Sequence, residues 1–232
     1  MTNTMDTLLC IERSDDSWAV SRGGDVVATG RLRASGPRAP EWFPGLVGAL
    51  DEAGLGIGSI DAFLCGIGPG SFSGIRSVLA AFQGLAMPRG LPVLGLSDAA
   101  ALAGAQSIAR NAPTVAVVGD ARRGLLWVAA YDVSANGAVA MHGSGAAPTH
   151  TSDDFALVRP DELRTAIPEG ALVVSGEYGR ISSAIGSLAT DNAIREDLRP
   201  SAADILALYG SAPEAALRNP SPIYLHPAVV AG

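Results

Sequence analysis

Residues Gly66–Ala86, GIGPGSFSGIRSVLAAFQGLA, carry the densest chemical signal in this 232-residue chain. Gly68, Gly70 and Gly74 follow an apolar run and precede a helical pattern. Backbone N–H groups at a helix N-terminus make a natural anion site. The spacing is G-x-G-x-x-x-G rather than the dinucleotide G-x-G-x-x-G, and Pro69 has no N–H to donate. A tight strand-to-helix turn without a ligand accounts for the same glycines. Two acids stand at strand ends, Glu12 and Asp120, with Ser14 and Arg122 beside them. They could hold Mg²⁺ in an ATP-dependent phosphotransferase of the acetate- or sugar-kinase class. Yet Asp120 leads into Ala-Arg-Arg-Gly, not into a Gly-rich phosphate loop. Turn chemistry with a local Asp120–Arg122 ion pair explains these residues more simply, with Gly124 taking the positive φ of the hairpin.

Other chemistries are excluded by composition. All 16 basic residues are Arg; the chain has no Lys. That removes the P-loop, the protein-kinase site and Schiff-base or pyridoxal chemistry, each of which needs a Lys. The histidines are His142, His150 and His226, and no two have H-x-x-x-H spacing, so a zinc protease lacks its ligands. His142 and His150 fall in a polar, Gly-rich stretch over 142–153 and read as exposed loop residues. Gly70-Ser71-Phe72-Ser73-Gly74 has Phe at its centre and is not a G-x-S-x-G nucleophile elbow. Cys10 and Cys65 sit in apolar runs without a CxxC pair and read as reduced buried thiols of a cytoplasmic protein. The opening MTNTMD lacks a basic region and an apolar core, so no signal peptide is expected. No apolar run approaches membrane-spanning length. A net charge of −7 argues against autonomous nucleic-acid binding. Arg122, Arg123, Arg195 and Arg199 could at most join into a minor patch.

The elements that must position these residues follow from pattern. At 48% hydrophobic and 17% charged, the chain has enough apolar surface for a sizeable core. Thr7–Glu12 reads as a buried strand. Ser17–Arg22 and Val26–Arg33 are joined by Gly23-Gly24-Asp25, a hairpin turn. Ser35–Pro40 is a Pro/Gly loop before a helix over Trp42–Ala53, which Gly54–Gly58 ends. Asp61–Ile67 is a central strand, followed by the glycine segment and its helix. Val93–Leu96 and a helix over Asp98–Ala109, with Ser97 as a candidate cap, complete the first half. Thr114–Gly119 and Leu125–Val133 open a second meander, with a turn at Asn136-Gly137. A short helix over Asp161–Thr165, a strand over Ala171–Ser175 and a weak helix over Arg180–Ala189 follow. Ser201–Tyr209 is a capped helix with Asp204 in its first turn. The fold class is α/β: two ribonuclease-H-like subdomains, the first a three-strand meander plus alternating α and β, the second β-rich. The expected boundaries are 1–100, completed by the helix over 200–212, then 101–198, then an extended tail over 219–232.

The glycine-segment helix has an unusual surface. At 100° per residue, Ile75, Val78, Leu79, Phe82, Leu85 and Ala86 share the arc that should face the sheet. Gly74, Ser77, Ala81 and Gly84 share a second arc with no side chain larger than Ala or Ser. Glycine inside a helix costs about 1 kcal/mol relative to Ala, so this smooth flank needs a reason. Either a helix of the same chain packs there, or one from another subunit does. Arg76 and Gln83 lie on the solvated side.

These residues carry a resemblance. GPGSFSGIRSVLAAFQGLA is similar to the GPGSFTGLR…A…GLA segment of the bacterial TsaB (YeaZ) family. Asp120–Tyr131, DARRGLLWVAAY, resembles that family's DAR-x-GEVY-x-A-x-Y hairpin, and Pro222-Ile223-Tyr224-Leu225 its C-terminal P-x-Y-L. The resemblance spans about residues 7–226 and implies an actin/Hsp70-like fold. It implies a non-catalytic scaffold, inactive alone, in the machinery that places threonylcarbamoyl on adenosine 37 of ANN-decoding tRNAs. Its implied partners are a catalytic TsaD-type subunit, a TsaE-type ATPase and a second copy of itself, with tRNA contacted only indirectly. No resident cofactor is implied; ATP or ADP with Mg²⁺ would enter only within the complex. By resemblance, Gly70, Ser71, Phe72, Ser73, Gly74, Arg76, Ser77, Ala81 and Gly84 map onto the partner interface. The family usually opens with I-D-T-[AS]. Here Ile11-Glu12-Arg13-Ser14 stands in its place, which alters the turn that holds Mg²⁺ and phosphate in catalytic relatives.

Overall fold

The computed structural model describes residues 5–32, 42–186, 188 and 192–226. The expected loop over Ser35–Pro40, residue 189 of the weak helix and the tail beyond His226 lie outside them. In chain order the elements are β1 (Thr7–Glu12), β2 (Ser17–Arg22), β3 (Asp25–Arg31), α1 (Trp42–Glu52), β4 (Ala62–Gly66), α2 (Phe72–Ala86), β5 (Val93–Leu96) and α3 (Asp98–Arg110). Then come β6 (Thr114–Arg122), β7 (Leu125–Val133), β8 (Val139–Met141), β9 (Ala156–Val158), α4 (Leu163–Ala166), β10 (Leu172–Ser175), α5 (Tyr178–Gly186), β11 (Ala193–Asp197), α6 (Ala202–Ser211) and β12 (Leu217–Arg218).

The chain divides into two compact units, 1–98 with 200–222 and 99–199 with 223–232. The first holds a six-stranded sheet in the order β12-β5-β4-β1-β2-β3. β1, β2 and β3 form the antiparallel meander, while β4 pairs parallel with β1 and β5 with β4. β4 is buried along its whole length, as its unbroken apolar run requires. α6 covers β1, β2 and β4. Its N-cap is a capping box in which Ser201 and Asp204 satisfy each other's backbone N–H. The N–H of Ala202 at its start donates to Ser17 Oγ at 2.9 Å. Across β2 and β3, the Trp18 indole lies flat on Gly30, where a Cβ would come within 2.7 Å of the ring.

The second unit repeats the plan. Its strands run β11-β10-β6-β7-β8, with β6, β7 and β8 antiparallel and β10 and β11 parallel to the growing edge. β9 adds to β7. A second indole repeats the same contact: Trp127 covers Gly119, and a Cβ there would lie 2.4 Å from the ring. One core of this unit packs α4 and α5, through Leu163, Ile181 and Ile185, on Val118, Val128 and Val173.

The stretch over 142–153 departs from its sequence reading at His150, which is buried, not exposed. Asp154 accepts the N–H of both Thr149 and His150 and also the Thr149 hydroxyl. That turn holds His150 at φ 54° and puts the ring inside. Burial pushes the His150 pKa below its ordinary value, opposed in part by Asp154. His142 is exposed, as expected, and meets Asp132 at 2.8 Å.

Candidate functional site

α2 buries Ile75, Val78, Leu79, Phe82 and Ala86, the stripe its period requires. Leu85 is the exception: it is only half-buried, because it lines a groove beside α1 and not the sheet. The small-residue flank is bordered by the chain itself at one end and open at the other. Ser77 Oγ accepts the indole N–H of Trp42 at 3.0 Å. A Cβ on Gly74 would meet Ser71 at 3.3 Å and Arg13 at 3.5 Å. At Gly84 no atom of the described residues lies within 4 Å of a Cβ built there. Between these ends runs a groove of about 370 Å³ lined by Trp42, Phe43, Ser77, Ala81, Gly84 and Leu85. Phe72 and Met87 stand exposed at the two ends of the helix, at 43% and 79%. Arg76 stacks over the Phe72 ring at 5.0 Å.

The loop before α2 and the first residues of that helix present Gly70, Ser71, Phe72 and Ser73 to solvent. The Ser71 hydroxyl makes no cap bond. The loop is held from behind by residues 97 and 98. Gly68 donates its N–H to Asp98 Oδ1 at 3.0 Å and accepts the Asp98 N–H at 2.9 Å. The Ser97 hydroxyl donates to the Gly68 carbonyl at 3.3 Å. The N–H of Gly68 is therefore already used and does not face an anion.

Glu12 is 1% exposed. Its Oε1 accepts the Ser14 N–H at 2.6 Å, and its Oε2 faces Asp98 Oδ1 across Gly66. Burial, then the Asp98 charge, push its pKa upward. Asp98 is pushed upward too, by burial above all. A carboxyl so enclosed and so engaged does not fit a Mg²⁺–nucleotide, which needs an open, ionised oxygen.

In the second unit Asp120 and Arg122 form the expected turn pair. Arg122 donates its N–H to Asp120 Oδ1 at 2.7 Å and its guanidinium to Oδ2 at 2.6 Å. Glu177 and Arg180 extend the pair: Glu177 accepts the Asp120 N–H at 3.2 Å and Arg180 stands 3.9 Å from Asp120. Gly124 has positive φ as expected, and Arg122 and Arg123 share it at 68° and 55°. The arginines foreseen as a patch are interleaved with acids, Arg199 lying 3.3 Å from Asp197. His226 Nε2 lies 2.6 Å from the Ala121 carbonyl. Among the described residues no three His, Cys, Asp or Glu side chains converge as a metal ligand set.

Sequence reasoning missed Asp98 and Trp42 as partners of the site. An acid in the first turn of a helix reads as a dipole partner, and a Trp at a helix start reads as core. Both roles come from contacts distant in sequence.

The comparisons extend this picture. Residues 43–146 match the family model "TsaD: tRNA N6-adenosine threonylcarbamoyltransferase". The TsaB protein of Haemophilus influenzae, named for tRNA threonylcarbamoyladenosine biosynthesis, is 41% identical over 73 residues, 32% of this chain and 31% of that one. The Escherichia coli protein of the same name is 26% identical over 187 residues, covering 76% of this chain and 75% of its own. A Pseudomonas aeruginosa structure described as similar to the peptidase YeaZ superposes with a TM-score of 0.74 at 28% identity, covering 96% of this chain and all of that one. YeaZ from the same organism gives 0.72 at 28%, over 95% of this chain. The chain is thus similar to TsaB/YeaZ proteins in both sequence and fold. The two sheets of like order fit an actin/Hsp70-like fold of the YeaZ kind. The first family motif corresponds to Gly68–Ala86, the loop and helix that frame the groove. No helix among the described residues is long and apolar enough to cross a membrane.

Proposed function

We propose that this chain is the cytoplasmic, non-catalytic scaffold that docks and activates a TsaD-type catalytic subunit in threonylcarbamoylation of adenosine 37 of ANN-decoding tRNAs. The observation that carries the reading is the open end of the small-residue flank of α2. Ala81 and Gly84 leave room for a partner helix to approach beside Trp42 and Phe43. Phe72 and Met87 offer apolar contacts at either end of α2. Stable interfaces bury about 1,200–2,000 Å² in total, more than one groove supplies, so the exposed Gly70–Ser73 loop joins the contact. A second copy of the chain would compete for the same face. A TsaE-type ATPase would join the assembled pair, and tRNA would be held by the catalytic subunit. The names of the E. coli and H. influenzae relatives support placement in this process.

Co-elution with the TsaD-type subunit tests the reading. Gly84→Leu places a side chain in open space and so leaves the monomer folded, while filling the groove. Ala81→Arg adds a charge to the same face. Both variants are expected to abolish the heterodimer while keeping the far-UV spectrum of the parent. Unchanged co-elution of both would overturn the docking face.

A further inference from the structure

Two carboxyl groups meet inside the first unit. Glu12 ends β1 and Asp98 begins α3; both are buried, at 1% and 6% exposure. Their oxygens converge on Gly66. A Cβ there would lie 1.8 Å from Glu12 Oε2 and 2.3 Å from Asp98 Oδ1, so only the hydrogen of glycine fits beneath them. Glu12 Oε2 is buried without a donor and faces Asp98 Oδ1 across Gly66. Carboxylate oxygens only accept, so an O–H carried by one of the pair is what can fill the place between them. Two ionised carboxylates in contact away from water would repel strongly. The nearby guanidinium does not neutralise them: Arg13 pairs with Asp16 at 2.7 Å.

Each carboxyl also holds a separate piece of backbone. Asp98 Oδ1 holds the Gly68 N–H and thereby the loop that starts α2. Glu12 Oε1 holds the Ser14 N–H and thereby the turn whose Arg13 borders Gly74. We propose that Glu12 and Asp98 share a single proton, and that this proton latches the Gly68–Ser71 loop and the Arg13–Ser14 turn together, releasing both when it leaves. The latch stands whatever docks on α2.

The other ionisable groups around it do not supply the effect. Cys10 on β1 and Cys65 on β4 are pushed upward by burial and stay neutral. On α2, Arg76 is turned to Phe72. On α6, Asp204 holds the Ser201 N-cap, and the Tyr209 phenol is also pushed upward by burial. The sign follows from the raised affinity of the folded pair for its proton. An unfolded Glu or Asp has lost its proton above about pH 4. The folded pair keeps one, so raising pH weakens the latch, by up to about tenfold in the opening equilibrium per pH unit while the pair still holds its proton, and no further once the proton is lost.

The test is amide hydrogen exchange on the full chain across pH 6–9, corrected for intrinsic chemical rates, read at Ser14 and Gly68. In the parent, protection at both amides is expected to fall together as pH rises, by up to about tenfold per unit while the pair holds its proton, and to level off once the proton has left. In Glu12→Gln, whose amide donates to Asp98 at every pH, the fall should vanish. An identical pH dependence in parent and variant would overturn the proposal. Should Glu12→Gln not fold, the carboxyl ¹³C titration of the parent decides alone. A proton still held by either carboxyl at pH 6 supports the latch; both carbons ionised at pH 6 refute it.

Discussion

The indole N–H of Trp42 donates to Ser77 Oγ across α1 and α2 at 3.0 Å, in the middle of the smooth flank. The bond fixes the width of the groove between the helices, since it sets how far α1 can slide along α2. Trp42→Phe keeps the buried ring but removes the donor, and Ser77 can turn to water. The expected cost is about 1 kcal/mol, read by urea unfolding. A larger consequence is expected in affinity for the partner, because the groove loses its spacing. A variant that loses about 1 kcal/mol of stability yet binds the TsaD-type subunit unchanged would show that the spacing is immaterial.

The paired indoles make a ranked prediction. Gly119→Ala puts a methyl 2.4 Å from the Trp127 ring on β6, a strand paired on both sides. Gly30→Ala does the same at 2.7 Å, but on the edge strand β3, which can give way. Overpacking of this kind costs about 1–3 kcal/mol, and Gly119→Ala should lie at the upper end and Gly30→Ala at the lower. Thermal unfolding of the two variants checks the order, and a reversed ranking would mean that edge position does not relieve the strain.

Ser17 and Ala202 supply a third. The Ala202 N–H is buried and has Ser17 Oγ at 2.9 Å. Ser17→Ala leaves that donor without its acceptor at the start of α6, at a cost of about 1–3 kcal/mol. Hydrogen exchange at the Ala202 amide should rise with the loss of stability. Ser17→Thr, which keeps a hydroxyl, should restore protection.

His150 gives the acid limb its shape. Burial lowers its proton affinity in the folded chain, so the unfolded chain takes up a proton first as pH falls. Its contribution to stability is flat above about pH 6.5 and declines below it. Asn tolerates the positive φ that His150 adopts. In His150→Asn the decline between pH 6.5 and 5 should be shallower, measured by urea midpoints across that range. An unaltered slope would place the acid sensitivity elsewhere.

What could be read from the sequence depended on how local the cause was. β1, β2 and β7 are legible to the residue because each is a largely apolar run closed by turn residues. The smooth flank of α2 is legible because glycine inside a helix is costly and so stands out. β11 is not legible. Its sequence AIRED is mostly exposed and shows no alternation, and it becomes a strand only by pairing with β10. Strands of three residues, β8 and β9, carry too few side chains to show a period. Glu12 is visible as a departure from a family pattern, but its partner Asp98 is not, since the contact crosses from β1 to the start of α3. His150 was misread because composition around it is polar, while the Asp154 turn that inverts its ring depends on geometry.

α6 and β12 complete the first sheet and its cover, yet they are encoded after Ala99–Arg199, the bulk of the second unit. During translation the ribosome therefore delivers β1, β2 and β4 long before the helix that shields them. The nascent chain must carry those apolar strands uncovered while most of another unit is being made, and a message truncated before codon 200 yields a first unit that never closes.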